Sequence, residues 1–110
     1  MYSVRDLYDG VYKVIGIPIV FDYHHHKFCT GDLTEQKALE MAVETWVDIK
    51  PVVHYSESRS AEYKDESIRP QAHSDYVYDK IETYGNDIDI MVEAKAKELA
   101  VAKYIELYGW

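Results

Sequence analysis

The sequence predicts an α/β fold in which about three parallel strands alternate with four helices. Three short apolar runs, at residues 17–22, 51–55 and 88–93, are too short for helices and are bounded by polar or turn-forming residues. Helical patterns separate them, so the element order reads αβαβαβα. Successive runs are separated by roughly the 30 or more residues of one βαβ unit. Such alternation requires parallel strands joined by right-handed crossovers.

The first helix and the first strand occupy the amino-terminal part of the chain. Ser3 is placed to cap a helix, with Asp6 three residues further on in a capping-box position. Its apolar stripe consists of Val4, Leu7, Tyr8 and Val11. Gly16 is expected to end the helix, and residues 17–22 then form a buried strand in which Pro18 lies near the start.

The middle of the chain carries a loop, a helix and a strand. Residues 24–32 are expected to form a loop, after which Thr34 opens the second helix. The buried stripe of that helix consists of Leu39, Ala42, Val43 and Trp46. The second strand covers residues 51–55. The long polar stretch 56–74 is predicted to be functional or disordered, because long loops inside small domains usually are.

The last third repeats the helix–strand–helix order. Asp75 is expected to cap a third helix, whose shared face consists of Val77, Ile81 and Tyr84. Residues 85–87 form a turn, and residues 88–93 form the third strand. Residues 94–108 form the final helix, with a stripe of Val101, Tyr104, Ile105 and Tyr108. We expect residues 1–110 to form a single domain without a linker.

Composition excludes some classes of function. The formal charge of −8 argues against non-specific binding of nucleic acid through a basic face. Cys29 is the only cysteine, so no intramolecular disulfide forms, which fits a reducing compartment. No apolar segment approaches the length of a membrane span, and the first ten residues lack the apolar centre of a signal peptide. We therefore expect a soluble, intracellular protein of the cytoplasm or nucleoid, without a membrane partner.

Ionisable residues stand at the end of each predicted strand. Asp22, His54 and Glu93 each end or directly follow an apolar run. Because parallel strands deliver their carboxyl ends to one edge of a sheet, these side chains are expected to share a pocket. Strand alternation places all three on one face. His25 and His73 lie in loops on the same rim.

Each of these residues also has an ordinary explanation. His54 alone fits a hydrogen-bonded core histidine, Glu93 a carboxylate at the start of the final helix, and Asp22 a turn former. His24 and His26 are expected to be solvated or to support a ligand rather than bind an ion. The joint pattern nevertheless favours a site for Mn²⁺, Zn²⁺ or Fe²⁺, because those ions accept mixed carboxylate and imidazole ligands. Paired ions of this kind assist phosphoester cleavage.

Four motifs, at residues 21–26, 50–57, 69–76 and 89–97, resemble the UV damage endonuclease family. The resemblance covers nearly the whole chain. It implies part of a (β/α)8 TIM barrel with a cluster of divalent ions at its carboxyl rim. The implied cofactor is Mn²⁺, with Zn²⁺ or Mg²⁺ as alternatives. The implied activity is a DNA-repair endonuclease that nicks a strand 5′ to UV photoproducts.

The resemblance also assigns roles to individual residues. It implies that Asp22, His54 and Glu93 bind a central metal, that Glu93 bridges two ions, and that His54 and Glu93 are catalytic. His25 and His73 are implied to bind a neighbouring ion. Many members carry a lysine two residues before the histidine of the second strand. Val52 stands there in this chain, which is expected to weaken the neighbouring site.

The length of the chain limits what it is expected to do alone. The resemblance maps onto the last half of a barrel, so the chain is expected to be a fragment or subunit. It should be active on damaged double-stranded DNA only when complemented by an amino-terminal half-barrel partner. Its unpaired sheet edges favour such a partner, a homo-oligomer, or an open sheet. Two alternatives stay open: a catalytically inactive remnant that keeps a metal, and a fragment of a xylose-isomerase-like barrel.

Overall fold

A parallel three-stranded sheet with the order β1-β2-β3 forms the centre of the fold in the computed structural model, which describes residues 2–109. The strands are β1 (Phe21–Asp22), β2 (Val52–Tyr55) and β3 (Asp89–Val92). The parallel alternation predicted from the sequence is confirmed. Within the described residues the sheet is open, because β1 and β3 each pair on one side alone.

The amino-terminal helix forms as predicted. It runs through α1 (Val4–Leu7), a π-helical turn (Tyr8–Tyr12) and α2 (Lys13–Ile15). Ser3 and Asp6 form a reciprocal capping box, with N–O distances of 3.1 and 3.2 Å. Gly16 ends the helix in the left-handed region, at φ +72°, where a residue without a Cβ is favoured.

The first strand is shorter than predicted, and the backbone of Ile19, inside the predicted strand, directs its hydrogen bonds away from the sheet. The backbone N–H of Ile19 donates to the Thr45 hydroxyl at 2.8 Å, and the indole N–H of Trp46 donates to the Ile19 carbonyl at 2.7 Å. Both partners lie just beyond α4 (Glu35–Glu44). The apolar run is therefore tied to the end of a helix before β1 joins the sheet.

The predicted loop at residues 24–32 is wrong in its first half, where helix α3 (Tyr23–Phe28) follows β1 directly. Asp22 supplies the N-cap: its side chain accepts a hydrogen bond from the backbone N–H of His25 at 2.9 Å. A run of three histidines has only modest helix propensity, so the cap and the packing of the helix decide its conformation.

Helices cover one face of the sheet. Strand residues Phe21 and Val53 are buried on that face and belong to the same core cluster as Leu39 and Ala42 of α4. Thr34 caps α4 as predicted and accepts from the backbone N–H of Lys37. The opposite face of the sheet is less covered, and its strand residues alternate with the buried ones.

The third predicted helix is absent, and the crossover from β2 to β3 contains α5 (Arg59–Tyr63) instead. Two carboxylates replace helical hydrogen bonding here. Glu62 accepts the backbone N–H groups of residues 75 and 76, and Glu57 accepts those of residues 78 and 79, at 2.8–3.2 Å. The Asp75 side chain binds Arg59 and the Tyr63 hydroxyl rather than capping a helix.

The final helix, α6 (Glu98–Tyr108), begins four residues later than predicted. Backbone N–H groups at residues 95 and 96 donate to the carbonyls of Ser74 and Asp75, which holds this segment against the crossover. Tyr104 is buried, and its hydroxyl accepts from the backbone of Ile81 at 3.0 Å. Among residues 2–109 no helix has both the length and the apolar character that crossing a bilayer requires.

Candidate metal centre

The structure brings Asp22, His54 and Glu93 together at the carboxyl edge of the sheet. Asp22 pairs with His54 in the parallel register of β1 and β2. Glu93 directly follows β3, and its backbone N–H donates to the carbonyl of Tyr55 at 2.8 Å, which extends the strand ladder by one step. Each side chain offers one ligand atom, and these three atoms all lie within 4.8 Å of one another.

The donor set and its spacing fit a transition-metal ion. Two ligand atoms on one ion, each bound at roughly 2.0–2.2 Å, are separated by at most about 4.4 Å. The observed spacing, within 4.8 Å, is close to that limit. One imidazole and two carboxylates suit Mn²⁺, Zn²⁺ or Fe²⁺ better than Ca²⁺. Among residues 2–109 this is the one group of three or more such ligands that meets the distance criterion.

His54 and Glu93 are in direct contact. Nδ1 of His54 lies 3.0 Å from Oε1 of Glu93, and both side chains are 35% exposed. This contact fixes the rotation of the His54 imidazole ring about its Cβ–Cγ bond. The alternative explanation of Glu93, a carboxylate at the start of the final helix, does not hold, because α6 begins at Glu98. The position of Glu93 is therefore set by the strand ladder and by His54.

The three side chains lie on the less covered face of the sheet. Val20 and Met91, on that face, are 43% and 55% exposed, whereas Phe21 and Val53 on the other face are fully buried. In a closed barrel this face would line the interior. In this chain it is open to solvent, so the candidate centre is accessible from outside.

Lys50 does not approach the centre. Its ammonium group forms ion pairs with Asp89 and Asp87, at 3.2 and 3.3 Å, at the amino end of the sheet. These carboxylates, through their hydrogen bonds, raise the pKa of Lys50. Val52 therefore remains the residue at the position where the resemblance expects a lysine.

His25 and His73 are not part of the three-residue group. Nε2 of His25 lies 3.0 Å from the carbonyl oxygen of Tyr2. The backbone N–H of His25 donates to the carboxylate of Asp22. His73 forms an isolated bridge with Ser58, and its ring lies 5.8 Å from the ring of His24. The pairing of His25 with His73 that the resemblance implies is thus not assembled in this structure.

His24 and His26 are buried, at 5% and 6% exposure, so of the two expected roles solvation is wrong and support of a ligand stays a prediction. They project into the protein because α3 turns the histidine run back toward the core. Burial lowers the pKa of both rings. The sequence offered no direct signal for this burial. The same three histidines would be exposed in a loop, whereas a capped helix turns two of them into the core.

A parallel α/β sheet whose strand ends collect imidazole and carboxylate groups defines a class, that of α/β proteins with their site at the carboxyl ends of the strands. The comparisons with known proteins make this specific. The family model for UV-endonuclease UvdE matches residues 1–109, and the chain belongs to this family.

Individual relatives agree with that assignment. The UV DNA damage endonuclease of Bacillus velezensis is 35% identical over 102 residues, and a relative of the same description from Bacillus cereus is 39% identical over 100 residues. These alignments cover 83% and 82% of this chain but 30% of each relative. The chain therefore spans about a third of the length of the curated relatives it matches.

A solved structure shows the same fold. The crystal structure of SacUVDE superposes with a TM-score of 0.76 at 25% sequence identity, and it covers 97% of this chain and 36% of the other. The predicted fold class, part of a (β/α)8 TIM barrel, is confirmed. The three strands and their helices correspond to about a third of that chain.

Proposed function

We propose that this chain provides the carboxyl-terminal part of a metal-dependent DNA-repair endonuclease that nicks DNA 5′ to UV photoproducts. The observation that carries the proposal is the convergence of Asp22, His54 and Glu93 within 4.8 Å, in a chain of the UV-endonuclease family. The substrate would be damaged double-stranded DNA.

The three side chains would hold a divalent ion, with Mn²⁺ as our first expectation and Zn²⁺ or Mg²⁺ as alternatives. When bound, such an ion polarises a phosphoryl oxygen and supplies a nucleophile at neutral pH. The carboxylates of Asp22 and Glu93 provide negative charge that offsets the charge of the ion. Glu93 also keeps the His54 ring oriented through the 3.0 Å contact at Nδ1.

The acidic composition is compatible with a DNA substrate under this proposal. The chain carries a formal charge of −8 and would repel a phosphate backbone in the absence of bound cations. Carboxylates that hold divalent ions no longer present that charge to the substrate, because the ion dominates the local field. Binding of DNA should therefore depend on the metal as well as on the lesion.

Activity is proposed to need the rest of a barrel. The sheet in residues 2–109 has two open edges, and the relatives are about three times as long as this chain. An amino-terminal half-barrel partner would pair with these edges, and a second copy of the chain is the alternative. Within this proposal His54 and Glu93 are the catalytic residues, and His25 and His73 stay candidates for a neighbouring ion.

Plasmid nicking tests the proposal. UV-irradiated supercoiled plasmid is incubated with Mn²⁺ and the chain, either alone or together with the first two thirds of a Bacillus relative. We expect nicking when both parts are present and the plasmid is irradiated, and loss of nicking in His54→Ala. An end-labelled duplex with one pyrimidine dimer then maps the nick, which is expected on the 5′ side of the dimer.

The same experiment separates the alternatives. A complemented pair that binds Mn²⁺ but leaves irradiated plasmid intact would favour an inactive remnant. Full nicking by the His54→Ala variant would contradict the assignment of this residue. Metal analysis of the purified chain, with its solution mass from light scattering, tests the ion and the oligomeric state independently of cleavage.

A further inference from the structure

We propose that two copies of this chain associate through the open edges of their sheets, with an apolar ridge of each copy seated in an apolar groove of the other. The inference rests on the open edges that the proposed function also uses, and it names the surfaces that a second copy covers. It requires neither a metal nor DNA, so its test and that of the proposed function can fail separately.

The groove lies at the outer edge of β3, on the face of the sheet that the helices cover. Its volume is about 760 Å³, and its apolar walls consist of Ile88, Ile90, Val92, Val101 and Ile105. Ile90 is on the covered face because it pairs with the buried Val53. On the α6 wall, Val101 and Ile105 are 40% and 48% exposed, so the groove is open to a partner.

The charges around the groove favour an apolar partner over an ionic one. Two lysines and two aspartates line it, so their formal charges cancel: Lys50, Lys80, Asp87 and Asp89. Lys50 is already paired with both aspartates, at 3.3 and 3.2 Å. A phosphate backbone would therefore find no net attraction there. An apolar protein surface would instead remove the exposed valine and isoleucine side chains from water.

The ridge lies at the opposite edge of the sheet, beside β1. Val14 and Ile15 end the amino-terminal helix and are 72% and 63% exposed. Ile17 and Val20 precede β1 and are 53% and 43% exposed. Exposed apolar residues that lie together beside an unpaired strand edge are typical of an interaction surface.

The layers of the fold make ridge and groove complementary. The amino-terminal helix packs against α4 and so belongs to the helix layer, as the groove does. When β1 of a second copy lies parallel beside β3, the sheet continues as a sheet, and residues 14–17 of the copy come over the groove. Val20 of the copy then lies on the same bare face as Met91, which is 55% exposed. Because one placement covers apolar residues on both faces, a second copy is the occupant that fits.

The contact is heterologous, since a ridge meets a groove rather than another ridge. Used once, such a contact leaves one ridge and one groove exposed, whereas two copies related by a twofold axis use both. We therefore expect a dimer rather than a growing chain of copies. A partner that supplies the amino-terminal part of a barrel would compete with the second copy for the same edges.

Light scattering after size exclusion, on the metal-free chain, tests the inference. We expect twice the chain mass of 12.8 kDa at micromolar concentration. Ile17→Glu on the ridge and Ile105→Glu in the groove should each halve the measured mass, because the contact would bury an unpaired carboxylate. Val47→Glu is the matched control and should stay dimeric, since Val47 is 79% exposed and lies on neither surface.

A mixture of the two variants tests the pairing of ridge with groove. The Ile105→Glu variant keeps an intact ridge, and the Ile17→Glu variant keeps an intact groove. An equimolar mixture should therefore form a complex of two chains through the one remaining contact. Variants that stay monomeric when mixed would overturn this pairing, because contacts between like surfaces cannot be restored by mixing.

The remaining outcomes are equally decisive. A monomeric unsubstituted chain, or dimers that persist in both variants, would overturn the inference. Circular dichroism checks the fold of each variant, and Val14→Glu and Val101→Glu replace any variant that fails to fold. A dimer without metal-dependent nicking would support this inference while the proposed function fails, and nicking by a complemented chain that is monomeric on its own would do the reverse.

Discussion

Asp22 has an observed role as a helix cap and a proposed role as a metal ligand, and substitution can separate the two. Its carboxylate caps α3 by accepting the His25 backbone N–H at 2.9 Å, and it belongs to the group whose ligand atoms lie within 4.8 Å. Asparagine is as good an N-cap as aspartate but is a poor ligand for a divalent ion, whereas alanine fills neither role. Asp22→Asn and Asp22→Ala therefore form a matched pair.

The size of each effect follows from these contacts. Without metal, Asp22→Ala should lower the free energy of unfolding by about 1 kcal/mol for the lost cap, and Asp22→Asn should leave it nearly unchanged. For a small domain, 1 kcal/mol corresponds to a Tm shift of roughly 4–8 °C. Saturating metal, at 100 times its Kd, should stabilise the unsubstituted chain by about 2.7 kcal/mol, and both variants should lose most of this increment.

Differential scanning calorimetry with and without Mn²⁺ measures both quantities. The metal-dependent rise in Tm reports the ligand role, and the metal-free Tm reports the cap. An Asp22→Asn variant that keeps the full metal-dependent rise would refute the ligand role. An Asp22→Ala variant with the metal-free Tm of the unsubstituted chain would refute the contribution of the cap.

Three further predictions follow from contacts described above. His54→Ala should abolish Mn²⁺-dependent nicking by the complemented protein while its circular dichroism stays unchanged, since the side chain is partly exposed; residual nicking near the original rate would contradict this. Thr45→Val should lower the free energy of unfolding, measured in urea, by about 1–3 kcal/mol, because it leaves the buried N–H of Ile19 without an acceptor. Thr34→Val, at an exposed helix cap, is the comparison and should lower it less. Burial lowers the pKa values of His24 and His26, so the unfolded chain binds more protons than the folded chain. Stability should therefore fall as the pH drops below about 6.5. A urea midpoint that stays constant between pH 7 and pH 5 would contradict this.

The strands and the central site could be predicted because two simple periodicities control them. The alternation of strands and helices makes the strands parallel, so the carboxyl ends of the three apolar runs meet at one edge of the sheet. The two-residue repeat of a strand determines which face of the sheet each side chain takes. Asp22, His54 and Glu93 converge for that reason. The capping box at Ser3 and the cap at Thr34 were equally local and equally predictable.

The crossover could not be predicted, because distant side chains determine it. Residues 75–84 have a helical apolar pattern, but Glu57 and Glu62 bind the backbone N–H groups that such a helix would use. Nothing within the segment itself reveals this competition. The same holds for Ile19, whose partners Thr45 and Trp46 lie at the end of another helix.

The histidine run depended on a balance that the sequence alone does not show. Asp22 reads as a turn former, and the same carboxylate also starts a helix when its backbone is extended, as here at φ −118° and ψ 111°. The choice between the two decides whether His24 is exposed or buried. It also decides which histidine faces His73.

The one-sided covering of the sheet has a kinetic consequence. An ion held by half-exposed ligands on a bare sheet face can leave without any movement of the backbone, so a chelator should strip it from the isolated chain within the mixing time of a stopped-flow experiment. Enclosure of that face by further strands would make release wait for an opening motion of the surrounding protein. For the proposed ion, the rate of loss to a chelator would therefore report how far further strands enclose this face of the sheet.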